Sequence, residues 1–173
     1  MKTRPLAVAG ILALALALAL GGAAYLAYQT LSAGGMAPNV GYTLLDGSTS
    51  TTNQLRGKVV LVNFWATDCA PCVHEMPQLV TAHERFKARG YETLAVAMSY
   101  DPPALVIDFA QRRRLPFGVV IDNTGAFARS FDPVKVTPTS VLINRRGEIV
   151  NRFVGEMDFV ALDALVEKLL EES

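Results

Sequence analysis

The sequence predicts an α/β fold in which helices flank a central mixed β-sheet. Between residues 59 and 131, apolar segments of strand length alternate with amphipathic segments of helix length, a pattern typical of strands joined by helical crossovers. Two further strand-like segments follow, joined as a hairpin by Arg145-Arg146-Gly147, and an amphipathic helix closes the chain. Because crossovers pair strands in parallel and hairpins pair them antiparallel, we expect one sheet with both kinds of pairing.

The individual elements can be placed in chain order. A small hairpin is predicted over 42–52 around Asp46-Gly47, then a strand over 59–64 and a helix over 71–89 that ends at Gly90. The later elements are a strand over 93–98, a helix capped by Asp101-Pro102-Pro103 that runs to about Arg114, a strand over 117–121, a short helix opened by Asn123-Thr124-Gly125, strands over 141–144 and 148–154, and a last helix capped by Asp158.

The first 31 residues carry a long apolar segment. Residues 6–28 are almost entirely Ala, Leu, Gly and Val, which is long enough to span a bilayer as a helix. Lys2 and Arg4 precede this segment, and by the positive-inside rule they place the N-terminus in the cytoplasm. We therefore expect residues 1–31 to be a single-pass anchor in a bacterial inner membrane, with the remaining chain in the periplasm.

A cleaved signal peptide is the alternative for the same segment. Residues 6–20 would then form its apolar region, and Gly22-Ala23-Ala24 would supply small residues for cleavage. No Ala-x-Ala stands at the right place, and apolar residues continue through Leu31. The pattern favours the anchor, but both interpretations export the rest of the chain.

Beyond the anchor we expect a linker over 32–38 and one compact domain over 39–173. Gly34-Gly35 and Pro38 mark the linker, and the rest is long enough to bury its own core. Without Lys2 and Arg4, the exported part has 14 basic and 16 acidic residues. This balance indicates no nucleic-acid partner, and the basic run 112–114 is typical of a solvated helix end.

Cys69 and Cys72 are the only cysteines and are separated by Ala70-Pro71. The apolar strand ends just before Cys69 and helical periodicity starts just after it. A sulfur at a helix N-terminus is favoured as thiolate by the helix dipole and the free N–H groups. The pair therefore predicts a thiol–disulfide exchange site.

Two other interpretations of the cysteine pair remain open at this point. A zinc site would need a second ligand pair, and the only histidines, His74 and His83, lie on the same predicted helix. An inert structural disulfide is compatible with an exported protein, although so short a loop constrains the unfolded chain little. We expect no metal at this site.

Four sequence features make residues 39–173 resemble the thioredoxin superfamily. Phe64-Trp65-Ala66 precedes the Cys-x-Pro-Cys motif, and Pro77 falls where that superfamily kinks its active-site helix. Val136-Thr137-Pro138-Thr139 resembles the cis-proline loop that faces the dithiol, and residues 145–148 resemble the hairpin that follows. The resemblance implies a thioredoxin-like fold.

Within that superfamily the chain is similar to the membrane-anchored TlpA/ResA-like thiol–disulfide oxidoreductases. Residues 102–121 leave room for an inserted helix–strand unit, and the N-terminal hairpin also occurs in this branch. Thioredoxin has an aspartate on the strand before the dithiol, whereas this chain has Asn63 there and Glu75 three residues after Cys72. The resemblance thus implies that Glu75 handles protons.

We expect Cys69 to attack a client disulfide, Cys72 to resolve the mixed disulfide, and Glu75 to take or return the proton. The Thr137–Pro138 bond is predicted to be cis, and Thr137 is predicted to pair with the client peptide as an added strand. Trp65 is predicted to pack under the site, either as a client contact or as a core aromatic. The redox-active disulfide Cys69–Cys72 is the only redox group that we expect, without a separate cofactor.

The Ala-Pro pair between the cysteines resembles that of reducing members of the superfamily. Because the chain has no flavin or nicotinamide motif, the resemblance implies a membrane thiol transporter of the DsbD/CcdA kind as electron donor. It also implies disulfide-bearing client proteins, including apocytochrome c in cytochrome c maturation, or copper-site assembly.

Three alternative functions share parts of this pattern. A disulfide oxidase or isomerase would differ in reduction potential, which the sequence does not determine. A peroxiredoxin-like peroxidase needs Thr-x-x-Cys, but Thr67 is only two positions before Cys69. A copper chaperone of the Sco type needs Cys-x-x-x-Cys and a distant histidine.

Asp68 departs from the resemblance, since tryptophan is common at the position before the first cysteine. A carboxylate beside Cys69 opposes formation of the thiolate, against the helix dipole. Asp68 could instead select basic partners, and the sequence does not decide between these effects.

Overall fold

The computed structural model describes residues 35–132 and 134–172. The predicted anchor and the first part of the predicted linker lie outside these residues. Among the helices that are described, none is both long enough and apolar enough to cross a membrane. Residues 35–37 lie beside the C-terminal hairpin in space. The Ala37 N–H donates to the Gly147 carbonyl (2.8 Å), and the Ile149 N–H donates to the Gly35 carbonyl (3.0 Å).

Five strands form the central sheet, and the prediction of a mixed sheet is confirmed. Strands β3 (Val59–Trp65), β4 (Tyr91–Ala97) and β5 (Gly118–Ile121) run parallel, whereas β6 (Thr139–Ile143) and β7 (Ile149–Val154) pair antiparallel. Their order across the sheet is β5-β4-β3-β6-β7. Strand β3 is therefore central, and its carboxyl end leads directly into the cysteine motif.

Four helices connect or cover these strands. They are α1 (Ala70–Phe86), α2 (Pro103–Arg113), α3 (Ala126–Ser130) and α4 (Phe159–Glu171), with 3₁₀ turns at Thr52–Leu55 and Lys87–Arg89. Gly90 ends the second turn with φ +94°, a left-handed conformation that glycine adopts without steric cost. The inserted helix–strand unit is thus present as α2 and β5.

The predicted N-terminal hairpin is also present. Strands β1 (Gly41–Thr43) and β2 (Thr49–Thr51) pair antiparallel around a turn in which Gly47 has φ +86°. Beyond β1, Leu44 forms an isolated bridge with Val120 of β5. The hairpin therefore covers part of an edge strand that would otherwise offer free backbone groups.

The core lies on both faces of the sheet because β3 is buried along its whole length. Val59, Leu61 and Trp65 pack with residues of α1, α2 and α4. Val60, Val62 and Phe64 point to the other face and pack with the hairpin and α3. The alternation of side chains along a strand explains why an unbroken apolar segment was needed here.

Helix α2 begins within the predicted Asp101-Pro102-Pro103 segment, but the Asp101 side chain does not cap it. Pro102 is the N-cap of α2, without a side-chain cap bond, and the Asp101 carboxylate instead accepts hydrogen bonds from Thr67. The cap of α4 is as predicted, since Asp158 accepts from the N–H groups of Val160 and Ala161. Asp101 departs from the prediction because donors on a neighbouring loop lie within reach of its carboxylate.

Candidate active site

The two cysteines form a disulfide at the start of α1, with 2.01 Å between the sulfurs. Cys69 is the N-cap residue and is half-buried, whereas the Cys72 side chain is fully buried. The Cys69 sulfur accepts the backbone N–H of Cys72 at 3.3 Å. In the reduced protein the same N–H and the helix dipole stabilise a Cys69 thiolate. Cys69 is therefore the sulfur that a partner can reach.

Glu75 lies one helical turn beyond Cys72 and is only 2% exposed. The Asn63 amide donates to one Glu75 carboxyl oxygen at 2.9 Å and to the Ser140 hydroxyl at 2.9 Å. Burial raises the pKa of Glu75 to about 7, although the Asn63 hydrogen bond and the Met157 backbone N–H oppose this rise. A carboxyl group with this pKa can exchange a proton near neutral pH.

The loop before β6 faces the disulfide. Its Thr137–Pro138 peptide bond is cis, which confirms the prediction, and Pro138 is buried while Thr137 is partly exposed. An open groove runs beside the dithiol between the start of α1 and this loop. The groove is lined by Ala70, Pro71, His74, Thr137, Pro138, Gly155 and Glu156.

His74 and Glu156 face each other across this groove. The His74 Nδ1 lies 3.2 Å from a Glu156 carboxyl oxygen, and both side chains are mostly exposed. Exposed ion pairs of this kind contribute roughly 0–1 kcal/mol to stability. Their position at the groove, rather than their energy, makes them relevant to a bound client.

Trp65 belongs to the core. Its side chain is 0% exposed, and its ring centroid lies 5.0 Å from that of Phe109 in α2. A ring without accessible surface does not touch a client in this conformation, so the predicted client contact through Trp65 is wrong. The alternative prediction, a core aromatic beneath the dithiol, describes what the structure shows.

The connection from β4 to α2 brings two unpredicted residues to the site. The Tyr100 hydroxyl lies 3.3 Å from the Thr137 hydroxyl, and the Tyr100 ring is 57% exposed. The Asp101 carboxylate binds Thr67 on the loop that carries Cys69. The sequence could have indicated both residues, because they follow the end of β4 as Cys69 follows the end of β3. The carboxyl ends of neighbouring parallel strands meet at one edge of the sheet.

No group of three or more His, Cys, Asp and Glu side chains that could hold a metal ion occurs among residues 35–132 and 134–172. His83, one of the two histidines considered for a zinc site, is buried with its ring centroid 5.4 Å from that of Phe117. The described site therefore offers redox-active sulfurs and a carboxyl group, but no metal-ligand set.

A dithiol at a helix N-terminus, opposite a cis-proline in a thioredoxin-like fold, defines the class of thiol–disulfide oxidoreductases. The Redoxin family model matches residues 32–166. The chain belongs to this family, and its curated relatives place it with the ResA thiol–disulfide oxidoreductases.

Two of these relatives show the extent of the similarity. ResA of Bacillus thuringiensis subsp. konkukian is 31% identical over 173 residues, which covers 98% of this chain and 99% of the relative. ResA of Bacillus subtilis is 33% identical over 129 residues, covering 75% of this chain and 71% of the relative.

Solved structures agree with this assignment. A solution structure of a candidate thioredoxin from Neisseria meningitidis superposes with a TM-score of 0.75 and 36% identity, covering 81% of this chain and 93% of that one. A crystal structure of a thiol:disulfide interchange protein from Chlorobium tepidum gives a TM-score of 0.73 and 25% identity, covering 79% and 97%.

Proposed function

We propose that this thiol–disulfide oxidoreductase reduces protein disulfides outside the cytoplasm, tethered to the membrane by residues 1–31. The observation that carries the proposal is the buried Glu75, with a pKa of about 7, one helical turn from Cys72. Returning electrons to a client requires Cys72 to lose a proton during resolution, and a nearby base with this pKa suits that step.

The reaction begins with the reduced dithiol. The Cys69 thiolate attacks one sulfur of a client disulfide, forming a mixed disulfide and releasing the other client sulfur as a thiolate. The Cys72 thiol loses its proton to Glu75, and its sulfur attacks that of Cys69. The mixed disulfide breaks, the second client sulfur leaves as a thiolate, and Cys69–Cys72 becomes the disulfide.

The electron and proton balance follows from these steps. Two electrons pass from Cys69 and Cys72 to the client, whose disulfide becomes two thiols. Glu75 holds the Cys72 proton for the client thiolate that departs in the second step. The proton from Cys69 enters solvent when its thiolate forms, and the client thiolate released in the first step takes one proton from solvent. Protonated Glu75 needs no counter-charge in its buried site, which supports this role.

The groove beside the disulfide supports a role for Thr137 and Pro138 in client binding. Thr137 is partly exposed and Pro138 has no backbone N–H, so an extended peptide can approach the loop closely. We propose that the Thr137 backbone pairs with the client as an added strand next to Cys69.

The donor, the location and the pathway belong to the same proposal. Because a reductase in an oxidising compartment needs electrons from across the membrane, we propose a membrane thiol transporter of the DsbD/CcdA type as donor. From the resemblance to the ResA branch, we propose clients in cytochrome c maturation, with apocytochrome c as the first client to test. Copper-site assembly is the second pathway to test.

The decisive experiment is the reduction potential of Cys69–Cys72, measured at equilibrium with glutathione at pH 7. The reduction potentials of such reductases lie well below those of the strong oxidants, which reach about −120 mV. We expect a strongly reducing potential. A value near or above about −150 mV would instead identify a disulfide oxidase and refute the proposed direction.

A further inference from the structure

A buried carboxylate from outside the loop between β3 and α1 binds the middle residue of that loop. This loop, residues 66–68, carries the chain from the end of β3 to Cys69, whose own N–H donates to the Ala66 carbonyl at 3.3 Å. Asp101 is 3% exposed and accepts both the backbone N–H and the hydroxyl of Thr67, each at 2.6 Å.

We propose that Asp101 is a positioning residue that fixes the Cys69 sulfur over the N-terminus of α1 by holding Thr67. The assignment goes beyond the proposed reductase function and depends on it only in that Cys69 is taken as the attacking sulfur.

The structure argues against a merely local role for this carboxylate. Asp101 precedes α2 but does not cap it, because the N-cap is Pro102 and no side-chain cap bond is present. Both carboxylate oxygens bind Thr67, which lies 34 residues earlier in the chain. A buried charge needs strong donors, and charge-assisted bonds of this length are among the stronger ones in proteins.

Few residues separate Asp101 from the end of β4. The Asp101 N–H donates to the carbonyl of Met98, the residue after β4, at 2.9 Å, and the Met98 N–H donates to the Trp65 carbonyl at 3.0 Å.

Thr67, which Asp101 binds, is only two residues before Cys69. The Cys69 sulfur must in turn stay within reach of the Cys72 N–H, now at 3.3 Å. Loosening Thr67 therefore moves the sulfur away from the donor that stabilises its thiolate.

The test replaces the Thr67 hydroxyl and leaves the Asp101 charge unchanged. In reduced Thr67→Val protein, we expect the pH midpoint of Cys69 alkylation by iodoacetamide to rise by about one unit. The thiolate fraction below the midpoint then falls about tenfold, partly offset by a roughly threefold higher nucleophilicity, so alkylation slows about threefold. Peptide mapping by mass spectrometry assigns the modified cysteine.

Two variants separate positioning from stability. Thr67→Ser keeps the hydroxyl and should retain the wild-type pH profile. Asp122→Asn is the matched control, since Asp122 is also a buried aspartate (6% exposed) that accepts two backbone N–H groups, from Phe127 and Ala128. It should lower the thermal midpoint of unfolding and leave the alkylation profile unchanged.

A double-variant cycle tests whether the effect passes through Asp101. In an Asp101→Asn background, Thr67→Val should shift the alkylation midpoint much less than it does alone, because the shared bond is already weakened. If Thr67→Val does not fold, Thr67→Ala removes the same hydroxyl.

The proposal is overturned if Thr67→Val leaves the midpoint unchanged, or if Thr67→Ser behaves like Thr67→Val. Alkylation involves no client and no electron donor. An oxidising potential would therefore defeat the proposed reductase while leaving this test of Asp101 intact.

Discussion

Besides Cys72, helix α1 buries two ionisable side chains, Glu75 near its start and His83 near its end, and the two regions differ in what surrounds them. Glu75 is bonded to Asn63 and adjoins Cys72, whereas His83 packs against the rings of Tyr91 and Phe117. Burial raises the pKa of Glu75 and lowers that of His83, so it favours the neutral form of both. Only Glu75 lies beside a group that exchanges protons, so similar burial supports chemistry at one site and packing at the other.

The largest effect is expected when Glu75 can no longer accept a proton, and it tests whether this buried group takes part in the reaction. Glu75→Gln keeps the shape of the side chain but cannot take the Cys72 proton, so we expect client reduction to slow by about 10²–10⁴-fold at pH 7. Stopped-flow measurement of client thiol release gives the rate. Glu84→Gln, an exposed substitution on the same helix, should leave the rate unchanged, and an unchanged rate in Glu75→Gln would disprove the proton role.

The second prediction concerns stability against pH. Because the folded pKa of Glu75 is raised from 4.5 to about 7, its contribution is fully present below pH 4.5 and is lost as the pH rises through 7. The full loss is about 3 kcal/mol of unfolding free energy. Glu75→Gln should therefore be more stable than the wild type at pH 8, by an amount that vanishes at pH 4. Urea unfolding at both pH values provides the measurement.

A third prediction concerns the hydrogen bond from Asn63. This bond favours the ionised carboxylate, which means that it holds the pKa of Glu75 down. Asn63→Leu should therefore move the alkaline limb of the stability profile to higher pH, since a bond to a charged group contributes about 1.5–3 kcal/mol. A limb that stays in place would show that Asn63 does not tune Glu75.

The smallest effect is expected at His83. Its folded pKa is lowered mainly by burial, with Glu92 and Glu84 opposing the shift and Lys87 and Lys58 adding to it. Its contribution to stability is therefore present above the unfolded pKa of about 6.5 and is lost as the pH falls. His83→Leu should flatten the acid limb of the unfolding profile and leave client reduction unchanged. A large loss of activity would break the distinction between the two regions.

Much of the site follows from local sequence patterns. The apolar strand, the cysteine pair and the helix after it are neighbours in the chain, so periodicity alone places the dithiol on a strand-to-helix turn. The cis form of Pro138 was also predicted, because residues 136–139 before the strand resemble the cis-proline loop of the thioredoxin superfamily. The predictions of these features are confirmed because each depends on a few consecutive residues.

The errors in prediction share a different cause. Asp101 resembled a helix cap because two prolines follow it, yet its donors come from residue 67. Trp65 was assigned a possible client contact, but the packing of Phe109 from the inserted helix buries it. Both outcomes depend on which loops and helices meet at the edge of the sheet, and this information is not contained in any short window of sequence.

The sequence by itself determined where the dithiol lies, since two cysteines at this spacing on a strand-to-helix turn are a property of consecutive residues, and from this it predicted thiol–disulfide exchange. The tertiary structure decided the electrostatics. Asn63 reaches Glu75 across 12 residues and Ser140 across 77, and burial between them raises the pKa of Glu75 to about 7. Desolvation is a collective property of packed elements, and for that reason only the folded chain could show that the pKa of Glu75 lies near neutrality.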